Sequence, residues 1–428
     1  MELFLEPAPD AATAASFWRH PAAWLREKNL SRGYWVFFSA AFFFDAGFAI
    51  YFFLFNLYLL DYRFNERAMG WIGGAMTLGS LVGTLPAGAL AQKIGLRPLL
   101  IVLFVTAPLV NAIRAVWVWE PAQIGLAFLV GLAMSSWGVC FLPGIARLTT
   151  EKNRTAGFSL ILSASVGTSM LGGVVCGYLR QWLGMAGFAM RAADVKRVIL
   201  LGSCAIVFVG LIPVLRLHIP SQPREETGLD GEAHRWSWLR AWKLNPFLWR
   251  FLPLMALWSA VLAAFTPFAN VYLTRELHIQ MTQIGLIFST VQVLQLFTGL
   301  LTPFVIRALG LVKGIAATQM LAAVVLGLLA GTRNGPLAVG LYLTFSAALW
   351  MSSPGLYNLL MNETPDAERS AAAAMTLFCN ALAGSVATAT AGILLTRFGY
   401  PPVLFSLAIV ALAVALLFRF LLAPPEQT

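Results

Sequence analysis

The chain has 428 residues, of which 59% are hydrophobic and only 11% are charged, and its formal net charge is +10. A soluble globular domain usually has about 25% charged residues, so this composition excludes a soluble protein and indicates an integral membrane protein. The basic residues lie in short links between apolar stretches, which favours a membrane-topology bias over nucleic-acid binding as the reason for the positive charge.

The N-terminal arm, residues 1–32, contains several basic residues together with Trp18 and Trp24. It has no separate short apolar region before a cleavage site, which argues against a secretory signal peptide. Basic residues mixed with tryptophan are typical of a segment that lies on a membrane surface. We therefore expect a cytoplasmic arm in contact with the lipid bilayer.

Apolar stretches of about 18 or more residues predict twelve transmembrane helices in the rest of the chain. The first six are predicted at 33–60, 69–91, 97–119, 122–147, 156–182 and 197–217. The second six are predicted at 247–273, 281–306, 312–331, 336–361, 371–396 and 400–422. The expected units are the arm 1–32, an N-terminal half 33–217, a linker 218–246 with an interfacial helix, a C-terminal half 247–422 and a tail 423–428.

The distribution of basic residues predicts the orientation of the chain. Most of the 29 lysines and arginines fall on the side of the N-terminus when the twelve helices are threaded through a membrane, and basic loops stay in the cytoplasm. An even number of helices returns the chain to its starting side. We therefore predict an inner-membrane protein with both termini in the cytoplasm.

Cysteine and histidine supply no sign of a metal or cofactor site. The four cysteines lie inside apolar stretches, without CxxC or Cys/His spacing; they are Cys140, Cys176, Cys204 and Cys379. The four histidines lie in loops or in the arm. We expect no cofactor, no bound metal and no histidine proton relay within the helices.

An internal repeat relates the two sets of helices at an offset of 215 residues. The matching pairs are Gly70 and Gly285, Gly95 and Gly310, and Arg154 and Arg369. In the first helix of each set, Asn56 matches Asn270 at an offset of 214. This shared offset predicts two six-helix halves repeated in parallel sense.

The loop between the second and third predicted helices has the sequence GALAQKIGLR, residues 88–97. It resembles the G-x-L-A-D-R-x-G-R signature of the major facilitator superfamily, whose members also have six plus six helices around a long central loop. The loops at Arg154 and Arg369 resemble that family's acidic-to-arginine ending. The resemblance implies gating roles for these loops, at Gly88, Gln92, Lys93, Gly95, Arg97, Arg154, Arg307 and Arg369.

The resemblance also implies a fold and a mechanism. The expected fold is an all-α membrane protein with twelve transmembrane helices in two pseudo-symmetric halves, which rock around a site near the bilayer midplane. Helices one, four, seven and ten then line the cavity. The signature's aspartate is replaced by Gln92, helix four has no internal arginine, and helix five has GTSMLGG at 167–173 where antiporters tend to show GPxxGG. Drug/proton antiport is therefore not specifically indicated.

Asp45 is the only acidic residue in the interior of a predicted helix. A charge at that depth costs about 2.5–3.5 kcal/mol, and intramembrane acids usually have a function. Asn56 lies eleven residues further on and shares the face of Asp45. Asp45 is therefore a candidate to carry a proton or another cation, or to neutralise a cationic substrate. The alternative is a protonated, structural carboxyl group bonded to a neighbouring helix.

Other polar residues on the predicted helices are candidates for the substrate cavity. Thr266 and Asn270 flank Pro267, where we predict a local break in the helix. The predicted role of this segment is gating and substrate contact, and a simple kink filled by Thr266 is the alternative. The remaining candidates are Gln292, Gln295, Trp137, Tyr357, Asn358 and Asn380. Helix–helix adhesion or packing is their alternative role. Arg114, near the outer end of helix three, is expected to snorkel to the surface, and a role in transport is the alternative.

These observations predict an alternating-access secondary transporter of a small organic solute, proton-coupled through Asp45. The aromatic residues around Asp45 (Phe44, Phe48, Tyr51 and Phe52) favour export of amphipathic or cationic compounds. An importer or uncoupled facilitator of a nutrient or metal cation is the alternative. An enzyme would need clustered acids, histidines or cysteines within the helices, and a receptor would need a soluble output domain. Neither feature is found in the sequence, so both classes are disfavoured. The expected partners are the solute, the bilayer, and protons or another cation, with no nucleic acid, and we expect a monomer.

Overall fold

In a computed structural model of the protein, the described residues are 30–185, 191–219, 246–365 and 368–422. They contain twelve helices that are long and apolar enough to cross a membrane. The first six are α1 Arg32–Asp61, α2 Glu66–Ile94, α3 Leu96–Val116, α4 Glu120–Leu148, α5 Glu151–Met185 and α6 Ala192–Arg216. The second six are α7 Pro246–Arg275, α8 Met281–Leu309, α9 Leu311–Gly331, α10 Gly335–Glu363, α11 Arg369–Phe398 and α12 Tyr400–Leu421. The N-terminal arm, most of the linker with its expected interfacial helix, and the tail lie outside the described residues.

Two of these membrane helices are interrupted. Helix α6 is divided at Gly210 into Ala192–Val209 and Leu211–Arg216. Helix α7 contains a 3₁₀ turn at Thr266–Phe268, because Pro267 has no N–H to donate to the carbonyl of Ala263. That carbonyl accepts a hydrogen bond from Thr388 Oγ1 of α11 instead, at 3.0 Å. The predicted break at Pro267 is therefore confirmed, with a packing partner in α11.

The predicted repeat is confirmed in the helix boundaries. Helices α8, α9 and α10 each begin 215 residues after α2, α3 and α4. Gly95 and Gly310 end α2 and α8 with φ angles of 88° and 83°, a region that favours glycine because it has no Cβ. The same tight turn therefore separates the second and third helices of each half.

Within each half, the first helix packs against the fifth and sixth, and the second against the fourth. Helix α1 is apolar on all sides, with Tyr34, Phe37 and Phe44 fully or almost fully buried. A helix with this pattern belongs in the centre of a bundle. Many large apolar side chains on α2, α8 and α12 remain exposed, and in a membrane they face lipid or the space between the halves.

The halves meet along two pairs of helices, α2 with α11 and α5 with α8. Contact is tightest at the end of the bundle where α1 ends and α2 begins, which we call the closed end. A Cβ on Gly70 would lie 2.8 Å from the carbonyl oxygen of Thr388, and one on Gly285 would lie 2.2 Å from that of Gly173. Small residues at these crossings let the backbones of the two halves touch.

The opposite end of the bundle, with the turns at Gly95 and Gly310, is packed less closely. A Cβ added to Gly88 of α2 or Gly299 of α8 would meet no other atom within 4 Å. Gln92 and Lys93 are exposed. We call this the open end.

Candidate functional site

A cavity of about 430 Å³ lies between the two halves, below the contacts of the closed end. Helices α1, α2, α5, α7, α8 and α11 contribute to its wall, as does Arg114 of α3. The apolar part of the wall includes the side chains of Phe52, Phe53, Phe268 and Phe288. Its volume lies in the range of small-molecule sites, which are mostly apolar with a few polar groups.

Four of the predicted cavity residues line this cavity: Asn56, Thr266, Asn270 and Gln292. Asn56 Nδ2 donates to the carbonyl of Pro267 at 2.7 Å, and Asn270 Nδ2 donates to the carbonyl of Phe53 at 2.9 Å. Each asparagine thus donates to the backbone carbonyl of the residue that lies three positions before the other asparagine. The repeat has produced a symmetric pair of hydrogen bonds that joins α1 to α7 across the cavity.

An ion pair closes the interface further towards the loops of the closed end. Arg275 Nη1 lies 2.8 Å from both carboxylate oxygens of Glu66, whose side chain is only 6% exposed. The hydroxyl of Tyr400 donates to the same carboxylate at 3.3 Å, and Arg275 also reaches the carbonyl of Phe64. These groups link α2 to α7 and α12, so opening this end requires the ion pair to separate.

Asp45 lies on α1 one turn from Ala49 and two turns from Phe52, which both line the cavity, but Asp45 is not itself one of the lining residues. The Ser165 hydroxyl of α5 donates a hydrogen bond to its carboxylate. Neither of the ion pairs found among the described residues involves Asp45. The structure therefore places a half-buried carboxylate without a cationic partner at the contact of α1 with α5.

Arg114 is the residue that sequence reasoning misplaced. The expectation that it snorkels to the surface is wrong, because it is only 1% exposed and lines the cavity. Nε donates to Gln123 Oε1 at 3.2 Å and Nη1 to Asn111 Oδ1 at 3.1 Å, and its carbon Cζ lies 4.2 Å from the centre of the Phe55 ring. Asn111, three residues earlier on the same helix face, is the sequence signal that could have indicated an inward direction.

The other predicted cavity residues do not line this cavity. Trp137 stacks on Phe44 with ring centroids 4.1 Å apart, because α4 faces α1 and α3 inside the N-terminal half. Gln295 is half-buried one turn beyond Gln292, and Asn380 is half-buried with its Oδ1 unpartnered among the described residues. Tyr357 and Asn358 are exposed on α10. Their roles stay predictions.

The aromatic residues that favoured export are divided between two places. Phe52 lines the cavity. Phe44 and Phe48 are buried and pack on each other at 4.6 Å, and the hydroxyl of Tyr51 donates to the carbonyl of Asn111 at 3.0 Å. Most of the aromatic wall around the cavity instead comes from Phe53, Phe55, Phe268 and Phe288.

The predicted gating residues lie at the open end. Gly88, Gln92, Lys93 and Gly95 form the end of α2, and Arg97 donates to the carbonyl of Leu215 on α6. Arg369 Nε donates to the carbonyl of Met361 at 3.0 Å, whereas Arg307 is exposed and Arg154 Nε has no hydrogen-bond partner among the described residues. The bonds of Arg97 and Arg369 named here stay within one half each.

The architecture agrees with the sequence profile of the Major Facilitator Superfamily, which matches residues 37–388. The chain belongs to this superfamily. No curated protein matches its sequence. The solved structure of the nucleoside transporter NupG (D323A mutant) is similar, with a TM-score of 0.75 at 15% identity over 90% of this chain and 99% of that one.

Two further solved structures show the same superfamily fold. The D-xylose-proton symporter has a TM-score of 0.71 at 15% identity, covering 92% of this chain and 98% of its own. A bacterial homologue of the iron transporter ferroportin has a TM-score of 0.67 at 16% identity, with coverages of 90% and 98%. These solved structures differ in what they carry. Membership of the superfamily indicates a multi-pass membrane transporter, and the substrate has to be argued from the cavity.

Proposed function

We propose that the protein exchanges a small organic solute across the inner membrane by alternating access, coupled to protons through Asp45. The observation that carries the proposal is the cavity between the halves, where the cross-half hydrogen bonds and ion pair named above for the described residues lie at the closed end. Asn56, Asn270, Glu66 and Arg275 all contribute to these contacts. Rocking of the halves would break these contacts and form new ones at the open end.

The basic residues support an orientation with the open end in the cytoplasm. Lys93, Arg97, Arg154, Arg307 and Arg369 lie near that end, and the positive-inside rule places such loops in the cytoplasm. The proposed conformation is therefore inward-open, with both termini cytoplasmic and the cavity reached from inside the cell.

Asp45 is the proposed proton carrier. A carboxylate without a cationic partner is costly to keep ionised inside a membrane. Protonation changes its hydrogen bond with Ser165, and so the contact between α1 and α5. Helix α5 in turn crosses α8 at Gly173, where the halves touch. A proton on Asp45 can thus bias the position of one half against the other.

The cavity supports an amphipathic solute because phenylalanine side chains form much of its wall. It does not support the preference for cations, since Arg114 is the one charged side chain among the lining residues that the structure describes. Export stays the proposed direction on the sequence evidence alone. A monomer is the proposed form.

Proteoliposomes with an imposed pH gradient test the coupling. The solutes are benzenesulfonate, benzenesulfonamide and benzyltrimethylammonium, which share an aromatic body and differ in charge. We expect the wild type to move at least one of them against its gradient, and Asp45→Asn to allow only downhill equilibration. Asp61→Asn is the matched control, because Asp61 lies on the same helix outside the cavity, paired with Lys196 at 2.9 Å.

Two outcomes would count against the proposal. Solute movement equal to that in protein-free liposomes for all three compounds would remove the support for transport. Full gradient-driven accumulation by Asp45→Asn would show that the coupling group lies elsewhere. The sign of the gradient that drives accumulation separates export from import.

A further inference from the structure

The cavity contains a cation that forms no ion pair among the described residues. Arg114 is buried and lines the cavity. The described residues form two ion pairs, Lys196 with Asp61 and Arg275 with Glu66, and neither involves it. Asp45 lies ten residues before Phe55, the ring that covers the guanidinium, which is about 15 Å along α1. A charged side chain kept within a membrane protein's interior usually marks a substrate or ion pathway.

The guanidinium is held rigidly but keeps free donors. It has five N–H groups, and two of them are donated, to Gln123 and Asn111. The remaining donors are on Nη1 and Nη2, the pair that binds an anionic group through two parallel hydrogen bonds. Phe55 covers one face of the guanidinium plane, so these donors are fixed in direction before any ligand binds.

The turn between α3 and α4 is held by hydrogen bonds that do not depend on the charge of Arg114. Gln123 Nε2 already donates to the backbone carbonyls of Arg114 and Trp117, both at 2.8 Å, and so holds the turn between α3 and α4. A neutral side chain could fill the same space without the cost of burying a cation. The charge itself therefore calls for a partner that the described part of the chain does not supply.

We propose that Arg114 is the anion-binding residue of the substrate cavity, and that the solute has a carboxylate or phosphate head on an apolar body. The head binds the free Nη1 and Nη2 donors of Arg114. The body lies against Phe53 and Phe288 of the cavity wall, and Gln292, which has no hydrogen bond among the described residues, is free to bond to polar atoms of the solute. This assignment deepens the proposed transport function and rests on it.

Binding to the full-length protein in detergent tests the proposal without requiring transport. Thermal unfolding is followed at increasing concentrations of benzoate, phenyl phosphate and the neutral isostere benzamide, with sodium chloride added to hold the ionic strength constant. We expect saturable stabilisation by the two anions and none by benzamide. Arg114→Gln should weaken anion binding roughly tenfold or more, since it removes a charge-assisted hydrogen bond. The anion affinity of Arg114→Lys should lie between those of the wild type and Arg114→Gln, because lysine keeps the positive charge but lacks the two parallel N–H donors of the guanidinium.

Arg197→Gln is the control variant, because Arg197 of α6 bonds to Tyr58 Oη at 3.1 Å and lies outside the cavity. It should bind benzoate as the wild type does. Equal stabilisation by benzamide and benzoate, or unchanged benzoate affinity in Arg114→Gln, would overturn the proposal. If that variant does not fold, the wild-type comparison of anion with amide and the benzoate affinity of Arg114→Lys still decide whether the proposal stands.

The binding and flux experiments fail independently. Arg114-dependent benzoate binding without solute flux would leave the anion site in place and remove the transport function. Flux of benzyltrimethylammonium with no anion binding would keep the transporter and remove the anion site.

Discussion

The two ends of the interface between the halves differ in how they are built. The closed end has backbone-to-backbone crossings at glycine, the Asn56 and Asn270 hydrogen bonds, and the ion pair of Glu66 with Arg275. The open end has exposed polar residues such as Lys93 and Arg307. The closed end is therefore held by close contacts between the halves, whereas the open end presents exposed polar groups. Substitutions at the closed end should open the outer side of the cavity more than substitutions at the open end do.

The crossing of α5 with α8 should be the most sensitive point. In Gly285→Leu the new side chain meets the backbone of Gly173, since a Cβ alone would lie 2.2 Å from its carbonyl oxygen. Overpacking of this kind costs about 1–3 kcal/mol, which reduces the population with a closed outer end roughly fivefold to 150-fold. A reporter cysteine at Thr77, with the four native cysteines replaced by alanine, should become reactive to an impermeant maleimide applied from the outer side.

Gly299→Leu is the matched control for that experiment. Gly299 lies on the same helix, nearer the open end, and a Cβ there meets no other atom within 4 Å. Its reporter labelling should equal that of the wild type. If Gly285→Leu labelled no faster than Gly299→Leu, tight packing at the closed end would not control access to the cavity.

Substitution of Asn56 or Asn270 should have the next largest effect on outer labelling of the Thr77 reporter, and the two substitutions should have similar effects. Asn56→Ala and Asn270→Ala each remove one cross-half hydrogen bond, of 2.7 Å and 2.9 Å. A bond of this kind contributes about 1 kcal/mol, so each variant should raise outer labelling of the Thr77 reporter about fivefold. Asn358→Ala is the control, because Asn358 of α10 is exposed and makes no cross-half hydrogen bond among the described residues. A large increase in one variant and none in the other would show that the repeat is not functionally equivalent here.

The helix boundaries show what an apolar pattern can predict. The turns at Gly95 and Gly310, the break at Pro267 and the repeat follow from local sequence, and all are present. Helix α5 was expected at 156–182 but begins at Glu151, where Asn153 Oδ1 accepts from the N–H of Thr150. Its first turn is polar and lies outside any apolar window, so hydropathy could not include it.

The site shows where sequence reasoning stops. Asn56, Thr266, Asn270 and Gln292 line the cavity, because polar residues on apolar helices face the interior of the bundle. Arg114 was missed because a cation near a helix end fits both snorkelling and burial. Only the rotation of α3 against Phe55 and Gln123 decides between them. That rotation is a property of packing between helices distant in the chain.

Substitution at the open end should have the smallest effect on stability and on outer labelling of the Thr77 reporter. The lack of such an effect is itself informative. Gln92 is exposed, and it occupies the position where the superfamily signature has an aspartate. Because Gln92 makes no cross-half hydrogen bond among the described residues of this conformation, Gln92→Ala should leave both the melting temperature and outer labelling of the Thr77 reporter at wild-type values. In the proposed alternating mechanism this loop forms contacts in the outward-open state, so the variant should slow flux in proteoliposomes while leaving the proposed inward-open structure unchanged. A change in melting temperature or labelling without a change in flux would mean that the two ends do not close alternately during transport. The difference between the two ends would then affect only the stability of the protein.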